Sequence, residues 1–247
     1  MRSSFALFNK PNLYSTKSNV GIPGLRFVKN FFSESERTQL IFLLQDLRKN
    51  LNIHSNRVPF TISKKHNLTS EEKYKNVILT DGKRGQFFPN YGEEGHELTY
   101  FIGNKNMPGF IKERVVSRLY DLDEIKALQQ QKHSVPTLGA GLPTAVGLDW
   151  NLTFNTYLRN NTASNLIAGF PFHIDIASNG EITLICSITS TATLELRKKG
   201  EQNASHSISL TQGSLLLLSN EARWEWEHRL LKTENGDTRF SLVFGCR

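Results

Sequence analysis

The carboxy-terminal part of the chain alternates between apolar and polar side chains with a period of two. In residues 151–158, Leu152 and Phe154 fall on one face, whereas Thr153 and Asn155 fall on the other. This period indicates β-strands, because successive side chains of a strand point to opposite faces. Further strands are predicted on the same grounds at residues 181–189, 193–198, 205–210, 214–218 and 239–246.

Short strands separated by turns that contain Asn and Gly are typical of an antiparallel jelly roll, in which two sheets pack face to face. The preceding residues have a different character. A helix is predicted after Ser33, and another from Pro108 to Gln131, because apolar side chains recur there on one helical face. The sequence therefore predicts an α+β fold, mainly β, whose core is a jelly roll (a double-stranded β-helix).

A connector rich in Pro, Gly and Ala, residues 133–147, separates the predicted helices from the predicted strands. We therefore expect a jelly-roll core at 150–247. An amino-terminal extension of helices and loops, at 21–149, is expected to pack on this core as a lid region. The two parts together form one domain over 21–247, a size that a single hydrophobic core supports.

Residues 1–20 are predicted to be a flexible basic tail. The first acidic residue of the chain is Glu34, and the residues before it are rich in Lys, Arg, Ser and apolar side chains. This composition is typical of an organelle transit peptide, and a disordered basic tail is the alternative. Two cysteines, Cys186 and Cys246, suit a reducing compartment, although one disulfide is also compatible with them. We expect an intracellular protein, directed to mitochondria by the tail or otherwise nuclear or cytoplasmic.

The net charge of the chain is +7, spread along its length. A positive charge favours polyanionic partners such as nucleic acids. No apolar run in the sequence approaches the roughly 18 residues that a membrane span needs, so no membrane association is expected. A monomer is the expected state.

One stretch of the extension has a composition suited to nucleic-acid contact. Residues 82–92 combine glycines with Arg84, Phe87 and Tyr91. Glycines permit tight turns and close approach of a ligand, and aromatic rings and guanidiniums can stack on a base. These three side chains are therefore candidate substrate contacts. A surface loop pinned by two phenylalanines is the alternative.

A candidate metal site is formed by His173, Asp175 and His228. His173 and Asp175 are two residues apart, so in an extended segment they point to the same side. Two histidines and one carboxylate on one face of a metal form the facial triad of non-haem iron(II) oxygenases. A hydrogen-bonded turn is the alternative explanation of His-x-Asp.

The last predicted strand directs polar groups to one face. Alternation places Arg239, Ser241 and Arg247 together, opposite an apolar face that includes Phe240 and Leu242. An arginine directed into a protein interior needs an anion, because burying it unpaired is costly. A guanidinium also matches the geometry of a carboxylate. The anion is therefore either an Asp or Glu of the chain or a dicarboxylate cosubstrate.

The order of these motifs resembles that of the AlkB family of iron(II)- and 2-oxoglutarate-dependent oxygenases. The segment from Gly213 to His228 is similar to the family's lead-in to its second metal-binding histidine. The resemblance covers residues from about 150 onward, and more weakly 21–32. The motifs that carry it are, in sequence order, Asn155-x-Tyr157, His173-x-Asp175, His228, Arg239-x-Ser241 and Arg247.

The resemblance implies a role for each of these residues. His173, Asp175 and His228 would ligate Fe(II). Around 2-oxoglutarate the resemblance places Arg239, Tyr157 and Ser241 at the distal carboxylate, and Asn155 and Arg247 near the groups that chelate the metal. With dioxygen as cosubstrate, such enzymes oxidise 2-oxoglutarate to succinate and carbon dioxide and hydroxylate a C–H bond. A hydroxylated N-methyl group then loses formaldehyde, which amounts to demethylation.

The chain departs from the family pattern at two places. The family's second arginine lies six residues after the first, where this chain has Gly245, and Arg247 comes two residues later. Members that repair alkylated bases carry acidic residues just after His-x-Asp, where this chain has Ile176 and Ala177. The missing acidic residue argues against base repair, whereas the net charge, residues 82–92 and the family resemblance favour a modified RNA base as the substrate. The alternatives are oxidation of a protein side chain and a non-catalytic jelly-roll binding module.

Overall fold

Two antiparallel β-sheets dominate the computed structural model, which describes residues 21–55, 97–102, 104, 107–133, 148–157, 169–231 and 238–246. The strands are, in chain order, β1 (Leu25–Val28), β2 (Glu97–Ile102), β3 (Trp150–Tyr157), β4 (Phe170–His173), β5 (Ile182–Ser187), β6 (Ala192–Lys198), β7 (His206–Leu210), β8 (Ser214–Leu218), β9 (Trp226–Leu230) and β10 (Arg239–Cys246). One sheet has the strand order β1-β8-β5-β10-β3-β2, and the other has the order β4-β9-β6-β7.

The connectivity from β3 onward is that of a jelly roll. β3, β5, β8 and β10 lie in the six-stranded sheet, whereas β4, β6, β7 and β9 lie in the four-stranded sheet. The chain therefore crosses between the sheets at every step except the β6–β7 hairpin. Eight antiparallel strands distributed over two packed sheets in this way define the jelly roll, so the predicted fold class is confirmed. β1 and β2 extend the six-stranded sheet at its two edges.

The six-stranded sheet separates two apolar cores. The outward side chains of β10, such as Phe240, Leu242 and Phe244, belong to an outer core shared with the helices. The intervening side chain Val243 packs against an inner core between the two sheets. Arg239 and Ser241 have the same strand parity as Val243, and they therefore face the space between the sheets. This arrangement confirms the alternation predicted for Arg239 and Ser241 in the last strand.

Helices cover the outer face of the six-stranded sheet. α1 (Glu34–Ser55) follows Ser33, as predicted. The Ser33 hydroxyl accepts a hydrogen bond from the Glu36 amide at 3.3 Å, and the Ser33 amide donates to the Glu36 carboxylate at 2.7 Å, which caps the first turn reciprocally. The remaining helical segments are α2 (Gly109–Ile111), a π-helical turn (Lys112–Val116), α3 (Ser117–Leu119), α4 (Asp123–His133) and α5 (Asn220–Trp224).

The amino-terminal part differs from the sequence-based prediction in two details. β2 lies in the amino-terminal extension, for which the sequence predicted helices and loops, and its pairing with β3 defines it as a strand. The helical region predicted from 108 to 131 is interrupted after α3. The amides of Ile125 and Lys126 both donate to the carbonyl of Leu122, at 3.1 and 3.0 Å, so a new helix begins there.

Several predictions concern residues outside the described ranges. These are the basic tail at 1–20, the stretch at 82–92 and nearly all of the connector at 133–147. The proposed domain boundaries therefore stay predictions. The thiols of Cys186 and Cys246 are both buried in the outer core. Within the ranges given above, no helix has the length and apolar character needed to cross a bilayer.

Gly245 lies against the segment that follows the His-x-Asp motif. A Cβ atom at this position would be 2.5 Å from the carbonyl oxygen and 2.7 Å from the Cα atom of Asn179. Asn179 ends a 3-10 turn (Ala177–Asn179), and the next residues join β10, where the Glu181 amide donates to the Cys246 carbonyl at 3.1 Å. The sheet and this segment therefore approach too closely for any side chain at Gly245.

We predict that Gly245→Ala lowers the free energy of unfolding by about 1–3 kcal/mol, because the added methyl group must displace the backbone of Asn179. Urea titration followed by tryptophan fluorescence measures the change. Gly109→Ala is the matched control, since its nearest neighbour is a Glu113 side-chain oxygen at 3.9 Å. The control should stay within about 0.5 kcal/mol of the wild type. Equal stabilities of the two variants would contradict the predicted clash.

Candidate functional site

His173 and His228 are held opposite each other by two adjacent strands. His173 is the last residue of β4, and its register partner on β9 is His228. Directly opposed residues of an antiparallel pair project to the same face. The two rings accordingly lie 4.3 Å apart between their centroids. Leu230, on the same face of β9, belongs to the inner core, so both imidazoles face the space between the sheets.

A β-bulge in β4 aims His173 at this position. Phe170 pairs with Leu230 and His173 pairs with His228, so three steps along β4 match two steps along β9. The extra residue lets Phe170 and His173 share a face, which strict alternation would forbid. Their rings are 4.4 Å apart. The bulged stretch contains Pro171, a residue type that sheets accept at edges and bulges because it lacks an N–H donor.

Asp175 completes the cluster from a segment beyond the end of β4. One carboxylate oxygen, Oδ1, is 3.7 Å from Nε2 of His173, and the other, Oδ2, is 3.9 Å from Nε2 of His228. Ligand atoms of all three residues lie within 4.8 Å of one another. The structure thus brings together the three residues that the sequence analysis predicted as metal ligands. Their donor atoms converge on one point that a metal ion can occupy.

The buried carboxylate of Asp175 supports a bound cation. Its Oδ2 atom is inaccessible to solvent and has no hydrogen-bond partner in the part of the chain that the structure describes. A buried anionic oxygen without such a partner is costly, and functional sites are where such atoms persist. A metal ion would satisfy this oxygen. The donor set therefore fits a metal on a structural observation as well as on residue type.

The protonation states of the site also suit a metal. Burial by itself raises the pKa of Asp175, but His228, His173 and Arg223 together hold this pKa below its usual range, so the carboxylate is ionised at neutral pH. Burial lowers the pKa of His228 to about 3, and the neighbouring His173 acts in the same direction. His228 is therefore neutral, with a lone pair available. Metal binding requires this combination of ionised carboxylate and neutral imidazole.

Arg223, a residue to which the sequence analysis assigned no role, contacts the main chain of the Asp175 segment. Its Nη1 donates to the Asp175 carbonyl at 2.9 Å, and its Nη2 donates to the Ile176 carbonyl at 2.7 Å. The neighbouring Trp224 is 38% exposed, and its ring centre lies 4.2 Å from the guanidinium carbon. The sequence offered one signal for a role of Arg223 at the site, which is its position in the segment from Gly213 to His228 that leads to the second histidine.

A second cluster of polar side chains, centred on Arg239, faces the space between the sheets. The Arg239 side chain is 1% exposed, and its Nη2 donates to the Ser187 hydroxyl at 3.3 Å. The guanidinium carbon lies 4.8 Å from the ring centre of Tyr157, its register partner on β3. Ser241 is opposite Asn155 on one side and Ser187 on the other. The four predicted residues Asn155, Tyr157, Arg239 and Ser241 therefore share one face.

Ser187 was missed by the sequence analysis, because its neighbourhood depends on the pairing of β5 with β10. The remaining candidates, Arg84, Phe87, Tyr91 and Arg247, lie outside the described residues, and their roles stay predictions.

Gly245 occupies the position where the family resemblance expects a second arginine. The contact with Asn179 leaves no room for a side chain there.

Comparisons with known proteins find similarity among solved structures. No protein-family model matches the chain, and no curated protein matches it. Among solved structures, the fold is similar to that of OsALKBH1, with a TM-score of 0.47 and 13% sequence identity. This match covers 90% of the present chain and 98% of the OsALKBH1 chain.

We predict that Asp175→Ala abolishes metal binding, because it removes the one anionic ligand of the cluster. Isothermal titration calorimetry with Mn²⁺ measures the effect. Glu227→Gln is the matched control: this neighbour of His228 points to the opposite face of β9 and bonds Arg197 at 2.6 Å. The control should bind Mn²⁺ as the wild type does. Wild-type affinity in Asp175→Ala would rule out the cluster as the metal site.

Proposed function

We propose that the protein is an iron(II)- and 2-oxoglutarate-dependent oxygenase of the AlkB type. The observation that carries this proposal is the convergence of His173, Asp175 and His228 inside a jelly roll, with an ionised carboxylate and a neutral His228. Two imidazoles and one carboxylate suit iron and leave coordination positions for substrates. The order of motifs along the chain, which resembles that of the AlkB family, supports the same assignment.

The roles of the residues follow from their chemistry. His173, Asp175 and His228 would hold Fe(II). When bound there with 2-oxoglutarate and dioxygen, the metal would supply an oxidant for hydroxylation of a substrate C–H bond, with succinate and carbon dioxide as the products of the cosubstrate. The surrounding sheets limit the access of water to the site, which protects such an oxidant from side reactions.

Arg239 is proposed to bind the distal carboxylate of 2-oxoglutarate. A guanidinium presents paired donors that match a carboxylate, and burial away from water strengthens this interaction. The Tyr157 ring lies against the guanidinium and the Ser187 hydroxyl accepts one of its hydrogen bonds, so Arg239 is held in a defined orientation. Ser241 and Asn155, on the same face, would contribute further polar contacts to the cosubstrate.

We predict that Arg239→Lys raises the KM for 2-oxoglutarate by about 10- to 100-fold, since a point charge replaces a two-donor fork. Succinate release in the presence of Fe(II) measures this change. Arg229→Lys is the control, because Arg229 bonds Glu195 at 2.6 Å on the opposite face of the four-stranded sheet. An unchanged KM in Arg239→Lys would refute the assignment. No succinate release by the wild type would favour a non-catalytic binding module.

We infer that the substrate is a modified base in RNA. The net charge of +7 favours a polyanion, and residues 82–92 offer Arg84, Phe87 and Tyr91 for contact with a base and its phosphate. The rival substrate is a protein side chain. It is favoured by the sequence Ile176-Ala177 directly after Asp175, which provides no acidic group for hydrogen bonding to a base.

The double variant Arg84→Ala, Tyr91→Ala tests the RNA proposal. We expect it to keep succinate release without substrate and to lose oxidation of RNA, measured by mass spectrometry of nucleosides. RNA affinity of the wild type should fall steeply with salt, because contacts to phosphates release counterions. Normal RNA oxidation by the double variant, or absence of RNA binding at low salt, would favour the protein substrate.

A further inference from the structure

The side chain of Arg223 is one of the largest that the fold buries completely. It is 1% exposed and lies in α5, five residues before His228. Burying a guanidinium is costly unless hydrogen bonds compensate it. Among the described residues, its hydrogen bonds go to the main-chain carbonyls of Asp175 and Ile176 rather than to a carboxylate. The fold therefore uses a buried positive charge to hold two consecutive peptide groups.

The segment held in this way lies between two elements of regular structure. β4 ends at His173, and the next turn begins at Ala177, so Asp175 lies outside the regular hydrogen-bond ladder of the sheet. Two parallel donors from one rigid guanidinium fix both the position and the orientation of the peptide groups they contact. The orientation of the Asp175 main chain determines where its carboxylate can point.

The helix that carries Arg223 is itself held in place by hydrogen bonds to another segment. The Ser219 amide donates to the Gly24 carbonyl at 2.9 Å, and the Ala222 amide donates to the Pro23 carbonyl at 3.0 Å, which ties α5 to the segment before β1. The Trp224 ring covers one face of the guanidinium. β9 and His228 follow α5 directly. One side chain therefore connects the element that delivers His228 to the segment that delivers Asp175.

We propose that Arg223 is a positioning residue for the metal site. It holds Asp175 in the geometry that a ligand needs, and it places a fixed positive charge beside the anionic ligand. The Nε atom of Arg223 is buried and makes no hydrogen bond to any described residue. This inference rests on the proposed metal site but not on the identity of the substrate.

Cobalt(II) binding tests this role without any enzymatic reaction. Arg223→Met keeps much of the side-chain volume and removes both bonds to the Asp175 segment. We expect it to weaken Co²⁺ affinity by about 10- to 100-fold, the usual effect of removing a group that orients a metal ligand. The visible absorption of bound Co²⁺, which reports the number and arrangement of ligands, should change as well. Arg223→Lys should lie between the wild type and Arg223→Met, because it keeps the charge but not the fork.

Arg197→Met is the matched control. Arg197 bonds Glu227 at 2.6 Å on the other face of the four-stranded sheet, and its guanidinium carbon lies 4.0 Å from the Phe172 ring centre. Its loss should affect stability without altering the affinity or the spectrum of Co²⁺. Thermal unfolding of the metal-free proteins separates the two effects.

The outcomes distinguish this inference from the proposed function. If the wild type does not bind Co²⁺, the proposed metal site itself is wrong. If the wild type binds and Arg223→Met shows the same affinity and spectrum, Arg223 has no positioning role. Should Arg223→Met fail to fold, Arg223→Lys decides: weaker binding with an altered spectrum supports the role, and wild-type behaviour overturns it.

Discussion

The pairing of β4 with β9 is the interaction on which the candidate metal site depends. It sets His173 opposite His228, and a slip of one residue would turn one imidazole to the outer face. Ion pairs on that outer face stabilise the register. Arg229 bonds Glu195 and Arg197 bonds Glu227, each at 2.6 Å across β6 and β9. The ring centre of Phe172, in β4, lies 4.0 Å from the guanidinium carbon of Arg197 and 4.6 Å from that of Arg229. These contacts tie the edge strand β4 to its neighbours.

The six-stranded sheet contributes a second constraint, because its two faces have different chemistry. Apolar side chains such as Phe154 and Leu242 pack beneath the helices, while polar residues of the same strands face the space between the sheets. The helices are therefore required for the site even though they provide none of its proposed ligands. They bury the outer face of the strands, and this burial leaves the inner face available for Arg239 and Ser241.

Much of this organisation could be predicted from the sequence because it depends on local periodicity. Alternation with a period of two assigned β3 and β10, their faces and the inward direction of Arg239. The residues that escaped prediction depend on non-local pairing. β2 is defined by its partner β3, and Ser187 contacts Arg239 only through the register of β5 and β10. The bulge that places Phe170 and His173 on one face of β4 likewise depends on pairing with β9 and has no signal in the local spacing.

The segment after His173 is restrained by a helix on one side and by the six-stranded sheet on the other. Arg223 holds the carbonyls of Asp175 and Ile176 from the side of α5. Three residues further along, Asn179 meets Gly245, and the Glu181 amide bonds to the end of β10. A stretch of chain without regular structure is thereby restrained at both ends. The close approach at Gly245 also explains why this chain cannot place an arginine there.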